Sequence, residues 1–357
     1  MSTTVAETLG LAASRRRAGR WILGLSVALV ATAVVAVGSG AYAVAPGTVA
    51  RVVGHHLLGW PGESTWSGPV DAIVWQVRLP RVVLAVAVGA GLAVCGLALQ
   101  AMVRNMLADP YLLGVNSGAS SGAAAAILFG VGVGFTEYSL QVTAFLGALA
   151  ASVLVFVVAR SGGRLTSVRL ILAGVAVGYA LYALTSFLIF ASGSAEGARS
   201  VMFWLLGSLA LAQWNPPLAI VCVVVLGVCA LLALWGRRLD ALAIGDETAL
   251  TLGIRPDRFR LQVLVAVALC VGVIVAASGS IGFVGLVVPH LARRVVGGTH
   301  TRVVIVSALM GAILLVWADI VARTLLAPQE IPIGIITALV GAPFLLLLIR
   351  RLHATTL

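Results

Sequence analysis

Residues 79–103 read LPRVVLAVAVGAGLAVCGLALQAMV, with no charge after Arg81. Crossing the hydrocarbon core of a bilayer takes about 20 apolar residues as a helix, and this stretch is long enough. Similar runs lie at 21–46, 137–159, 169–191, 215–236, 259–279, 303–326 and 332–349. Two shorter, Gly-rich stretches at 111–131 and 281–296 are broken by polar residues or Pro. Counted as short or tilted spans, they bring the total to ten. Composition points the same way: 61% of the 357 residues are hydrophobic and 10% charged, against about 25% charged in a soluble domain. The expected fold is therefore an all-α polytopic membrane protein.

Charge tests the span count. With ten spans both termini share one side. If that side is the cytoplasm, 18 of the 23 basic residues fall inside, and Arg51, Arg78, Arg81, Arg199 and Arg323 fall outside, as the positive-inside rule asks. Removing either short span would flip every later loop and spoil the split. The domain reading is a cytoplasmic tail at 1–20, one transmembrane domain at 21–351 and a cytoplasmic tail at 352–357. The first apolar run is too long for a signal peptide and reads as a retained span.

All 23 basic residues are Arg. They are dispersed between apolar runs, so no soluble basic face for nucleic acid is expected. A nucleotide-binding P-loop needs its Lys, which the chain cannot supply, so ATP and its Mg would have to be held by another chain. No cofactor or metal site is expected here. Cys95, Cys222, Cys229 and Cys270 sit in apolar runs as small hydrophobes. His55 and His56 are adjacent, but two histidines alone make a poor metal site. The outer segment 47–77 also carries Trp60 and Trp66, suited to the membrane interface. Segment 237–258 is the long inner connector, and its mixture of Leu and charge with Gly245 and Gly253 reads as two short surface helices. Spans two to five and seven to ten share a pattern of an Arg-rich entry, a long span and a short span after a Gly-containing turn (113–115 and 281–283). That suggests an inverted repeat.

Several strings are more specific than hydropathy: Arg78-Leu-Pro-Arg81, Arg104-Asn-Met-Leu-Ala-Asp-Pro110, Leu113-Gly-Val-Asn-Ser-Gly118, Phe203-Trp-Leu-Leu-Gly-Ser-Leu209, Gly245-Asp-Glu247 through Leu252-Gly253, Gly282-Phe-Val-Gly-Leu-Val-Val-Pro-His290 and Ala322-Arg-Thr-Leu-Leu-Ala-Pro328. Together they resemble the permeases of the FecCD family of iron-chelate, haem and cobalamin importers, over about residues 20–351. Met106 departs from the family pattern, which usually has Pro there. The resemblance implies a homodimer, or a pair with a homologous permease, in the inner membrane of a bacterium. It also implies two cytoplasmic ATPase subunits and an extracytoplasmic binding protein. Arg78, Arg81 and Arg323 match the family's docking arginines. Their alternatives are interfacial anchoring for Arg78 and Arg81 and a helix pair with Asp319 for Arg323. The coupling segment 239–253 would place Leu242, Ala243, Leu250 and Leu252 in a groove of the ATPase, with Gly245 and Gly253 punctuating it and Asp246 and Glu247 on the rim. Asn105, Leu107, Thr166 and Ser167 match the cytoplasmic gate; helix capping by Asn105, Thr166 or Ser167 is the other reading. A ferric siderophore is the first cargo expected, then haem, then cobalamin. A stand-alone secondary carrier normally keeps ionisable residues at mid-membrane. Only Asp319 lies within a span, near its outer end.

Overall fold

The computed structural model describes residues 11–40, 42–132, 134, 138–161 and 166–354. The outermost residues of both expected tails, 1–10 and 355–357, and Arg164 lie outside the described residues. No strand occurs among the described residues. The helices are α1 (Leu11–Gly38), α2 (Pro46–Leu58), α3 (Leu79–Val103), α4 (Val115–Phe129), α5 (Ser139–Arg160), α6 (Ser167–Ser192), α7 (Ala195–Leu205), α8 (Pro216–Leu234), α9 (Gly236–Ile244), α10 (Asp246–Thr251), α11 (Pro256–Ser278), α12 (Val284–Val296), α13 (His300–Thr324) and α14 (Ile333–Ala354).

Among the described residues, seven helices are long and apolar enough to cross a membrane: α1, α3 with its lead-in, α5, α6, α8, α11 and α13. The short helices α4 and α12 and the apolar part of α14 pack among them, which completes the ten-span bundle. Their shortness explains why hydropathy alone undercounts. Two boundaries differ from expectation. The first span ends at Gly38 rather than near Pro46, and α2 follows it. The second span begins eleven residues before Leu79, so that Gly68–Val103 forms 36 continuous helical residues. Its lead-in Ala72–Arg78 is a π-helical turn next to Pro80. Proline lacks the N–H that would close the regular ladder, and its ring crowds the preceding turn. The amphipathic α7 was not anticipated. Much of the expected outer loop 47–77 is helical; there His56 pairs with Asp71 at 3.1 Å and stacks on Trp75 at 4.2 Å.

Helix α3 forms the axis of the bundle and is buried along nearly its whole length. Lipid tails are as apolar as Leu, so helices here gain from close packing rather than from hiding from water. Glycine permits the closest approach. A Cβ on Gly89 would overlap the Gly311 carbonyl of α13, and one on Gly96 would overlap Gly285 of α12. The two repeats share a device: each short helix starts at a left-handed residue, Gly114 at φ 69° and Phe283 at φ 68°. In the second repeat Phe283, the residue after Gly282, takes the positive φ, and its ring lies where Gly341 of α14 leaves room.

Gly96→Ala is expected to lower the stability of the folded permease by about 1–3 kcal/mol, the usual cost of overpacking. Gly227→Ala, where a Cβ meets nothing within 4 Å, should be neutral. Thermal unfolding in detergent compares the two.

Candidate functional site

Two polar constellations stand out, one at each end of the bundle. At the end expected from sequence to face outward, α1 stops at Gly38 and leaves its last carbonyls without intrahelical partners. Arginines from two other helices take them. Arg78 donates to Val37 O at 2.9 Å, Gly38 O at 3.2 Å and Tyr42 O at 2.5 Å. Arg323 donates to Ser39 O at 2.9 Å and to Ala36 O. Arg81 bonds Asp319 through Nε at 2.8 Å and reaches Glu330 at 2.9 Å. Asp319 also faces Arg323 at 3.2 Å, the i,i+4 pair expected from sequence.

The three arginines read as docking residues are therefore 7%, 8% and 7% exposed. In this conformation they stitch α1, α3, α13 and the Glu330 loop together instead of projecting outward. A position on the outer side does not say whether a side chain is covered. Glu330 was missed; an acid between Pro328 and Pro332 was its only signal. Beside the cluster lies a recess of about 670 Å3 whose lining includes Arg81, Glu196, Arg199, Phe203 and Glu330. Arg199 is exposed there.

At the other end, α9 and α10 form a hairpin fixed to the bundle. Asp240 accepts from the His300 backbone at 2.9 Å and contacts its ring at 2.6 Å. Asp246 forms a two-pronged pair with Arg260, at 2.7 and 3.1 Å, and Arg260 is 1% exposed. Asp246 is thus paired within the chain while 35% of its side chain stays exposed. One expectation is corrected. Leu242 is fully buried, because Leu239 and Leu242, three apart, share the inward face of α9. Ile244, Leu250 and Leu252 point outward instead, at 71%, 50% and 64% exposure, with Glu247 and Gly253 exposed beside them. Gly245 joins the two helices, and a Cβ there would stand 3.7 Å from the Arg104 guanidinium.

Arg104 closes α3 in the left-handed region, φ 56°. The loop that follows holds Asn105 and Leu107, both exposed, with the Asn105 side chain accepting from Leu107 N–H at 2.9 Å. Thr166 caps α6 by accepting from Arg169 N–H, and Ser167 donates to Met102 O at 3.4 Å. The four residues expected at the gate thus lie near the junction of α3 and α6, where Thr166 acts as the helix cap. Sequence reasoning missed Gln100. Its amide reaches Ala108 O, Gly285 O and Leu286 O at 3.3–3.4 Å and accepts from Arg293 at 2.7 Å, which ties the gate loop to α12. Tyr111 satisfies both the N–H and the C=O of Ile281, each at 2.9 Å. Next to it, burial pushes the Asp109 carboxyl up to about 6, although the Tyr111 N–H favours the ionised form.

A bundle of hydrophobic helices, broken by two short ones and carrying a polar hairpin at one end, is the architecture of an integral membrane permease. The profile of the FecCD transport family matches residues 28–351, and the chain belongs to that family of ABC importer permeases. It is 44% identical over 280 residues to a cobalamin import system permease protein of Halobacterium salinarum, covering 78% of this chain and 74% of that protein. To a hemin transport system permease protein of Yersinia pestis it is 42% identical over 296 residues, covering 81% and 87%. A solved inward-facing ABC transporter of the metal-chelate type superposes with a TM-score of 0.80 at 35% identity, covering 93% of this chain and 99% of that one.

Removing one partner of the buried outer cluster leaves charge unpaired, which costs about 3–5 kcal/mol. Arg323→Glu is therefore expected to lower the thermal midpoint and the yield of folded protein; a fully stable variant would show the arginine to be dispensable for the fold. For Asp109 the folded pKa lies above the ordinary 3.8, so ionisation opposes folding and stability falls as pH rises from about 4 through 6. Asp109→Asn keeps an acceptor for Tyr111 and should flatten that part of the pH–stability curve, as followed by thermal melts.

Proposed function

We propose that the chain is the membrane half of an ATP-driven importer of a bulky metal chelate, a ferric siderophore first, and that it works as a homodimer with two ATPase subunits and an extracytoplasmic binding protein. The observation that carries this is the hairpin: an apolar triad of Ile244, Leu250 and Leu252 held outward on a base pinned by Asp246–Arg260 and Asp240–His300. A rigid, greasy protrusion suits a groove in a soluble partner, and a chain without Lys must take its ATP-binding loop from such a partner. On this reading the hairpin and both termini face the cytoplasm, in accord with the arginine distribution.

The outer end receives the binding protein. Arg78, Arg81 and Arg323 serve docking from beneath the surface: three guanidiniums stand against the two carboxylates of Asp319 and Glu330, and the surplus positive charge, with exposed Arg199, favours an acidic partner and steers its approach. Helix α6 lines the path. Its exposed side runs through Val168, Leu172, Val175, Tyr179, Tyr182 and Phe190. No imidazole, thiol or carboxylate occurs on that helix. So apolar a wall suits a bulky chelate whose metal the chelator already shields, and its only candidate iron donors are the phenols of Tyr179 and Tyr182. Haem and cobalamin stay as second readings because relatives are named for hemin and cobalamin transport.

Ile244→Asp combined with Leu250→Asp is expected to abolish co-purification of the ATPase and to cut chelate uptake into proteoliposomes at least tenfold. The melting temperature of the permease alone should not change, since both side chains are exposed. Uptake that persists without the ATPase would overturn the proposal in favour of a secondary carrier. Which chelate the partner binding protein retains identifies the cargo.

A further inference from the structure

Helix α7 forms one wall of the recess beside Arg81. That recess, about 670 Å3, has Arg81, Glu196, Arg199, Phe203, Trp204 and Glu330 in its lining. Its size is that of a small-molecule site, and so concave a site differs from the broad face that a docked protein covers. The walls are fixed to each other. Ile333 N–H donates to Gly207 O at 3.3 Å and Gly334 N–H to Leu206 O at 3.0 Å. The end of α7 is thereby bonded through the main chain to the start of α14. A ligand meets a site already formed, with little ordering left to oppose binding.

The acids at this end are already matched. Asp319 lies between Arg81 and Arg323, and both oxygens of Glu330 accept from Arg81 Nη1. Glu196 stands in the first turn of α7, where the helix dipole offsets negative charge. The guanidiniums are not matched in the same way. Arg81 is buried with Nε and Nη1 engaged, but its Nη2 finds no acceptor among the described residues. Arg199 follows Glu196 by three residues yet makes no ion pair with it, and lies instead over the Phe203 ring, 5.6 Å from its centre. Stacking on an aromatic face holds a guanidinium flat and leaves its N–H edge free for an anion. We propose that the recess binds an anionic arm of the chelate, of catecholate type, with its oxygens on Arg199 and Arg81 Nη2 and its ring against Phe203 and Trp204. Charge-assisted bonds hold the anion, and the aromatic side chains stack on the ring. The cargo is thereby narrowed to a negatively charged siderophore. Calling it cargo rests on the importer reading; binding to the permease alone does not.

Equilibrium dialysis of the full-length permease in lipid nanodiscs, without binding protein or ATPase, tests this. The probes are a ferric tricatecholate, which is net negative, and an uncharged ferric trihydroxamate. The tricatecholate should be retained in preference. Arg199→Ala should weaken its retention about tenfold, the loss of one hydrogen bond to a charged group. Glu196→Gln, which removes like charge from the recess, should tighten it. Neither should alter retention of the trihydroxamate, and thermal midpoints check that both variants fold. A tricatecholate that is not retained, that is held no better than the trihydroxamate, or that is held equally by Arg199→Ala would overturn the proposal. A Glu-rich peptide tests the other source of anion at this end: displacement of the chelate by an equal concentration of peptide would assign the recess to a protein partner instead. The hairpin substitutions lie at the opposite end and leave this assay untouched, so failure of the transport reading and failure of this site are read separately.

Discussion

In hydrocarbon no water is present to satisfy a backbone N–H or C=O, so every helix end at membrane depth needs a partner from the protein. This chain has several such ends, because α4 and α12 are short and α1 stops at Gly38. Its polar residues are allocated accordingly. Arg78 and Arg323 take the carbonyls at the end of α1. Gln100 takes those at the start of α12 and at Ala108. Tyr111 serves both backbone groups of Ile281. Much of the buried polarity thus follows from having broken helices at all, before any transport role is assigned.

Breaking helices has a use that offsets this cost. A continuous helix moves as a rod, whereas a short helix ending in a loop can shift against its neighbours. Asn105 and Leu107, expected at the gate, occur where α3 gives way to such a loop, and α4 and α12 occupy matching positions in the two repeats. Glycine pairs at the crossings of α3 with α12 and α13 keep that axis tight. Freedom to move is thereby concentrated at the loops.

Sequence disclosed the spans well because hydropathy and length are direct consequences of the bilayer. Arginine placement recovered α4 and α12, which hydropathy alone left in doubt. Side-chain direction was harder to see. The Arg-Leu-Pro-Arg motif places Arg78 and Arg81 at the outer end, yet says nothing of α1 ending beside them, since that contact joins residues some forty apart. On α9 the signal was available: Leu239 and Leu242 lie three apart on one face, and the spacing alone argued for burying Leu242 and freeing Ile244. Gln100 offered no clue, because its partners on α12 lie nearly 200 residues away.

The hairpin and the loop that follows Arg104 are close enough to share a wall. Gly245, between α9 and α10, faces the Arg104 guanidinium, and Arg104 is the residue that turns the chain from α3 into the loop carrying Asn105 and Leu107. The same loop is tied back through Ala108 and Gln100 to Arg293 on α12. A push on the hairpin cannot be absorbed at its base, where Asp246–Arg260 and Asp240–His300 fix it to α11 and α13. On the importer reading, displacement at Ile244 and Leu250 must therefore move those helices as bodies, and the softest element they adjoin is the loop carrying Asn105 and Leu107. On that reading, a gate at Asn105 and Leu107 lies where rigid halves of the bundle meet the loop that joins them.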